Sequence, residues 1–239
     1  MAPPHDEKAE MQVNEDAVSQ RSISNVLFII AMQTEASPLV NKFQLTEDLD
    51  SVFPKGVPWV RYHGKYKDLS INIVCPGKDN TLGVDGVGTV SASLLTYASV
   101  QAFQPDVIIN AGTAGGFKVF DLYGVGSRQA FYTPNLAKEL SLKVGKLSTG
   151  DSLDMSTVDE AAIHANDATV KDMEGAAVAY VADLLKVPVI LLKAVTDIID
   201  GDKPTAEEFL QNLAAVTLAL DRTVTQVVDF INGKSFSEI

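Results

Sequence analysis

Val26–Met32 reads VLFIIAM, an apolar run without a polar break. Its length suits a strand, and an unbroken rather than alternating run marks a strand buried on both faces, as in parallel sheets. The segments on either side decide what covers those faces. From Thr34 to Phe43 apolar positions recur at roughly helical spacing, and WVRYHGKYKDLSINIVC (59–75) holds two β-rich runs around Lys67–Asp68, which predicts a hairpin. Val87–Ala102 is a helix of small residues. Pro105–Asp106 then leads into the strand Val107–Asn110, which ends in GTAGG (Gly112–Gly116), read as a glycine-rich turn where a ligand can approach the backbone.

The second half repeats the alternation. LKVGKLSTG (142–150) is a weak strand and Thr169–Met173 a short one. Gly175–Leu185 is an alanine-rich helix, Val187–Thr196 a strongly buried strand, and Thr205 to about Ile231 a long amphipathic helix. Strands alternating with helices predict an α/β sandwich with a mixed, largely parallel sheet. Residues 1 to about 22 are polar, acidic and aperiodic, the composition of a disordered tail, and 23–239 read as one domain.

Composition removes several function classes. Of 239 residues 46% are hydrophobic, and 31 acidic against 19 basic residues leave a formal charge of −12. The four arginines, Arg21, Arg61, Arg128 and Arg222, are dispersed. A nucleic-acid partner needs clustered Lys and Arg, and an anionic membrane surface needs the same, so neither is expected. Cys75 is the lone cysteine, and no secretory signal or membrane-spanning run is present, which points to the cytoplasm. A neutral small molecule suits this charge.

In open α/β sheets ligands bind outside the carboxyl ends of the strands. Three acids fall at that place. Glu35 lies just beyond Val26–Met32, Glu174 directly follows Thr169–Met173, and Asp197 closes Val187–Thr196. Each has a plainer reading, since acids at strand-to-helix junctions serve as helix caps or first-turn residues. Their joint arrangement points to a site. Other motifs carry little. Gly86–Ser91 lacks the third glycine of a dinucleotide fingerprint, no phosphate-binding P-loop occurs, and His5, His63 and His164 have no metal-ligand spacing, so no cofactor or metal is called for. Gly150–Asp154 (GDSLD) is similar to the motif of Gly-Asp-Ser-Leu esterases, but it lies mid-chain and no histidine follows His164.

At these same residues the chain resembles the 5′-methylthioadenosine/S-adenosylhomocysteine nucleosidases, the plant enzymes above all. The resemblance rests on IAMQTEASPLV (30–40), GVGTVSASL (86–94), PDVIINAGTAGGF (105–117), LSTGDSLDM (147–155), DMEGAAVA (172–179) and LKAVTDIIDGDKPTAEEFL (192–210). It implies a three-layer α/β/α nucleoside phosphorylase-like fold, a homodimer, and hydrolysis of 5′-methylthioadenosine to adenine and 5-methylthioribose in methionine salvage. Residue by residue, it implies that Asp197 protonates purine N7, Glu174 accepts from the ribose hydroxyls, and Glu35 holds the attacking water. Met173 would pack under the sugar, and Thr113, Ala114 and Gly115 would line the ribose and base region. Leu153 would cover the purine and the backbone of Asp154 read its edge. Leu153 and Lys193 stand where bacterial members carry an aromatic residue and an arginine.

The chemistry of glycosidic cleavage agrees with this set. An oxocarbenium-like transition state calls for an acid on the leaving group and a base on water. A phosphorylase of the same fold must instead bind an anion, and no arginine adjoins Gly86–Val90 while Asp85 does. Two alternatives stay open, a nucleoside phosphorylase and a catalytically silent storage-type member. One departure from the family pattern follows Val119, where members continue through a strand and a His-Asp turn and this chain passes directly to FDLYGVGSRQAF (120–131). In the family that segment contributes to the dimer and the 5′ pocket, so a weakened dimer and impaired activity are expected.

Overall fold

The computed structural model describes residues 20–50, 52–116, 128–153, 157–198 and 205–239. The segment expected to be absent after Val119, Asp154, and most of the predicted tail lie outside the described residues.

An eight-stranded mixed sheet organises the chain. Its strands are β1 (Asn25–Ile29), β2 (Thr46–Glu47), β3 (Val60–Tyr66), β4 (Leu69–Cys75), β5 (Val107–Gly116), β6 (Leu147–Thr149), β7 (Val170–Asp172) and β8 (Val189–Ile198). The order is β2-β3-β4-β1-β5-β7-β6, with β8 also paired to β5. β1 lies parallel to both β4 and β5, and β8 parallel to β5. The β3–β4 hairpin forms as predicted, with Lys67 at φ 53 in its turn.

The opening apolar run explains the layers. Val26, Phe28 and Ile30 face one side of the sheet and Leu27 and Ile29 the other, all 2% exposed or less. The first group packs on Ala36 and Leu39 of helix α1 (Gln33–Lys42), while Leu220, Val224 and Val228 of a long C-terminal helix (Thr205–Ile231) close the same layer. The second group packs on Ala92 and Leu95 of α2 (Thr89–Phe103) and on Val178 and Ala182 of Gly175–Leu185. Burying a side chain of this size stabilises the fold by roughly 1.5–3 kcal/mol. One short strand therefore anchors both helical layers.

Two shorter helices, α3 (Pro134–Glu139) and α4 (Thr157–Ala165), were not expected from periodicity. Gly175–Leu185 is then α5 and Thr205–Ile231 is α6.

The structure corrects two expectations. Gly112–Gly116 is not a turn: β5 runs on to Gly116, paired with β8 throughout. Glycine weakens a strand because it offers no side chain to pack, but here the backbone ladder continues and the bare face borders a cavity. β8 runs to Ile198, two residues past the predicted end, so Asp197 lies within the strand. The first described residues are tied to the body of the fold. Ser22 bridges Ser235, and the Arg21 guanidinium bonds the Asp106 carbonyl and stacks on Phe236.

Candidate active site

The carboxyl ends of β1, β5, β7 and β8 converge on one cavity of about 290 Å³. Its lining includes Glu35, Thr113, Ala114, Gly115, Leu153, Met173, Glu174, Lys193 and Asp197. These are all the residues singled out from the sequence except Asp154, which falls outside the described residues.

Glu35 enters from the first turn of α1. Its Oε1 accepts from the Thr113 amide (2.7 Å) and hydroxyl (2.9 Å), and its Oε2 accepts from the Met32 amide at 3.3 Å. The capping role is therefore present, with a tie to β5 added. Burial pushes this carboxyl above the ordinary range, while the Thr113 bonds and the Lys193 charge pull the other way.

Glu174 occupies the N-cap position of α5 without capping it. Its Oε1 instead accepts from the Gly88 amide at 2.9 Å, across the cavity. The cap is supplied by Asp172, whose Oδ2 accepts from the Gly175 amide at 2.8 Å, and by Thr149, whose hydroxyl accepts from the Ala176 amide at 2.9 Å. Glu174 too is raised, chiefly by burial, with Lys193 and the Gly88 amide opposing.

Asp197 owes its aim to a β-bulge. The β5–β8 register runs Ala114↔Val195 and then Gly115↔Asp197, so Thr196 is the extra residue. Successive strand side chains normally point to opposite faces, and a bulge re-aims them. Thr196 and Asp197 are accordingly both buried. The Thr196 hydroxyl donates to Asp197 Oδ1 at 2.7 Å, whereas Oδ2 is buried with no hydrogen-bond partner among the described residues. Burial raises the Asp197 pKa, Glu208 of α6 adds to the rise, and Thr196 and Lys171 oppose it. A buried oxygen without a donor, in a carboxyl pushed upward, suits the protonated acid.

Within Gly86–Val90, where a phosphorylase would need to hold its anion, the Gly88 and Thr89 amides are engaged by carboxylates. The Gly88 amide goes to Glu174, and the Thr89 amide and hydroxyl both go to Asp151, each at 2.6 Å. This also accounts for the esterase-like GDSLD: Asp151 caps α2, and Ser152 sits against Lys171, which donates to its carbonyl and, at 3.2 Å, to its hydroxyl.

Sequence reasoning missed Lys171, Asp172, Ser152 and Phe209, which also line the cavity. For Lys171 and Asp172 a signal was available, two adjacent opposite charges inside the short strand read at Thr169–Met173. Phe209 belongs to the predicted α6, but nothing in its spacing marks the end of that helix that faces the cavity.

The family model of the phosphorylase superfamily matches residues 25–123 and 126–229 of this chain, whose mixed sheet lies between helical layers. A 5′-methylthioadenosine nucleosidase of Arabidopsis thaliana is 62% identical over 267 positions, covering 100% of both chains. A 5′-methylthioadenosine/S-adenosylhomocysteine nucleosidase of the same plant is 60% identical over 93% of this chain and 97% of its own. The apo structure of Arabidopsis thaliana 5′-methylthioadenosine nucleosidase superposes with a TM-score of 0.88 at 64% identity, covering 92% of this chain and 100% of that one. The chain belongs to the methylthioadenosine nucleosidase family. An alignment of 267 positions that takes in all 239 residues leaves at least 28 positions with no residue here, in keeping with a chain shorter than its family pattern.

Proposed function

We propose that this protein hydrolyses the N-glycosidic bond of 5′-methylthioadenosine, releasing adenine and 5-methylthioribose for methionine salvage. The observation that carries the reading is the division of donors among the three acids. Glu35 and Glu174 accept backbone N–H groups, as carboxylates do, while Asp197 keeps a buried oxygen without a hydrogen-bond partner among the described residues. Asp197 delivers its proton to purine N7 as the C1′–N9 bond breaks. Glu35 holds the water that adds to C1′ and takes its proton. Glu174 accepts from the 2′- and 3′-hydroxyls. Met173 packs under the sugar, Leu153 covers the base, and the backbone of Asp154 reads the base edge. The anionic lining favours positive charge developing on the sugar.

Water rather than phosphate is the nucleophile in this reading, because the amides at Gly88 and Thr89 already serve Glu174 and Asp151. Incubation with methylthioadenosine should release adenine and free methylthioribose at the same rate with and without phosphate. Phosphate-dependent turnover, or methylthioribose 1-phosphate as product, would refute hydrolysis.

A homodimer is part of the same reading. Val90, Leu94 and Tyr97 form an exposed stripe on α2, and Tyr180 and Leu184 extend it on α5, which packs alongside. Val87 and Leu153 carry the apolar surface to the cavity mouth. Clustered exposed apolar side chains of this kind mark an interaction surface. Leu94→Glu is expected to convert a dimer to a monomer in sedimentation equilibrium; an unchanged mass would place the interface elsewhere.

A further inference from the structure

Lys193 is a cation of the cavity wall, and three carboxylates bear on it from different elements. Asp172 approaches from β7, Glu174 from the start of α5 and Glu35 from α1. The Lys193 side chain is 6% exposed, and it pairs with one of the three: its Nζ lies 2.7 Å from Asp172 Oδ2, whose own side chain is 1% exposed. The ammonium stays charged despite burial, held up first by Asp172 and then by Glu174 and Glu35. Glu35 is close at hand. A Cβ on Gly112 would lie 3.4 Å from Lys193 Nζ and 3.5 Å from Glu35 Oε1.

We propose that Asp172 is a positioning residue of the reaction, holding the Lys193 ammonium off Glu35 and Glu174 so that both keep oxygens free for water and sugar. The inference rests on the hydrolytic reading above. A buried ammonium must pair with an anion. Without Asp172 the remaining candidates are the two carboxylates on which the reaction depends, and a short ion pair would occupy their oxygens and lower their basicity. Asp172 is fixed for this task by three contacts and by a glycine that leaves it room. Thr149 Oγ1 donates to its Oδ1 at 2.6 Å, the Gly175 amide and Lys193 donate to its Oδ2, and the Gly175 Cα leaves it room. A Cβ at residue 175 would sit 2.9 Å from Asp172 Oδ2 and overlap Leu147. Capping α5 through Asp172 also releases Glu174 from that duty, so one carboxylate frees both others.

Lys171, next to Asp172 on β7, and Glu208 on α6 bear on Asp197. The buried Cys75 thiol beside Glu35 is pushed up by burial and remains neutral. The acid limb of the pH profile therefore reports Glu35 and Glu174.

The test is the kcat/KM pH profile of methylthioadenosine cleavage for wild type, Asp172→Asn and Asp172→Glu, with a crystal structure of Asp172→Asn. Asparagine keeps an oxygen for the Gly175 amide but loses the charge. Lys193 should then move to within 4 Å of Glu35 or Glu174, kcat should fall roughly 10- to 10²-fold as for a misplaced catalytic group, and the acid limb should shift to lower pH. Asp172→Glu, which retains the charge, should restore the limb. Because loss of the Asp172 charge by itself lowers the Glu174 pKa, the position of Lys193 decides: an ammonium unmoved in the Asp172→Asn crystal structure would overturn the proposal and leave Asp172 as a helix cap. Should Asp172→Asn not fold, Lys193→Gln serves: loss of the ammonium should move the limb upward, and an unmoved limb is equally fatal. Failure of the wild type to release adenine would instead count against the hydrolytic reading itself.

Discussion

Asp197→Asn is expected to lower methylthioadenosine turnover by roughly 10²- to 10⁴-fold, the range for a lost general acid, with KM changed far less. The amide fits the same space and can still accept from Thr196, but it has no proton to give to N7. The fold should not suffer. Asp197 is raised mainly by burial, so the folded protein prefers it neutral, and asparagine is neutral at every pH. In the wild type, turnover should fall on the alkaline side as Asp197 loses its proton, and that limb should vanish from the residual activity of the variant. Steady-state kinetics across pH would decide it. Near wild-type turnover would reduce Asp197 to a bulge residue with an unsatisfied oxygen.

Glu35→Gln is expected to separate activity from stability. Turnover should again drop by roughly 10²-fold or more, because glutamine cannot take the proton of the attacking water. Stability should move the other way as pH rises. Burial raises the folded pKa of Glu35 above its unfolded value of about 4.3, so the native state binds the proton more tightly than the unfolded chain. The stabilisation this gives is complete below the unfolded value and is lost as pH climbs through the folded one. Glutamine has no such loss. Urea midpoints of the variant and the wild type should therefore diverge in favour of the variant as pH rises from the unfolded carboxyl value through the raised folded one. The offset from the Met32 amide, which would face an amide NH₂ in place of Oε2, is independent of pH. Parallel midpoints over that range would show that Glu35 is not a strained ionisable group, and the assignment of the water-activating base would fail with it.

The legibility of this chain differed by element for physical reasons. β1 was legible from its unbroken apolar run, although it ends at Ile29, three residues short of Met32. The β3–β4 hairpin, α5 and α6 carry side-chain patterns and stand within a residue or two of their predicted places. The second half of β5 does not. Gly112–Gly116 is held by main-chain pairing with β8, and main-chain hydrogen bonds leave no trace in residue type. The same holds for the bulge at Thr196, which depends on how two strands slip past one another. Of the site, Glu35, Glu174 and Asp197 were legible because acids at strand ends are conspicuous. The distinction among them was not. It depends on which one meets a backbone N–H, and for Glu174 that donor, Gly88, is 86 residues away in sequence. Asp172 was passed over because an acid beside a conspicuous acid reads as its neighbour, and only the ion pair with Lys193 reveals its separate task.

The bare face of β5 has a consequence for inhibition. Along Gly112–Gly115 the cavity wall is largely peptide backbone, and the Thr113 hydroxyl is turned to Glu35. A compound that gains its affinity by lying on this wall touches atoms that every amino acid shares, so point mutation has little there to remove. Mutation can only add atoms, and at Gly112 the first added carbon would lie against the Lys193 ammonium and the Glu35 carboxylate. Escape from such a compound at Gly112 would put catalysis at risk. A compound leaning on Leu153, a half-exposed side chain at the mouth, has no such protection. The durable surface of this pocket is the one without side chains.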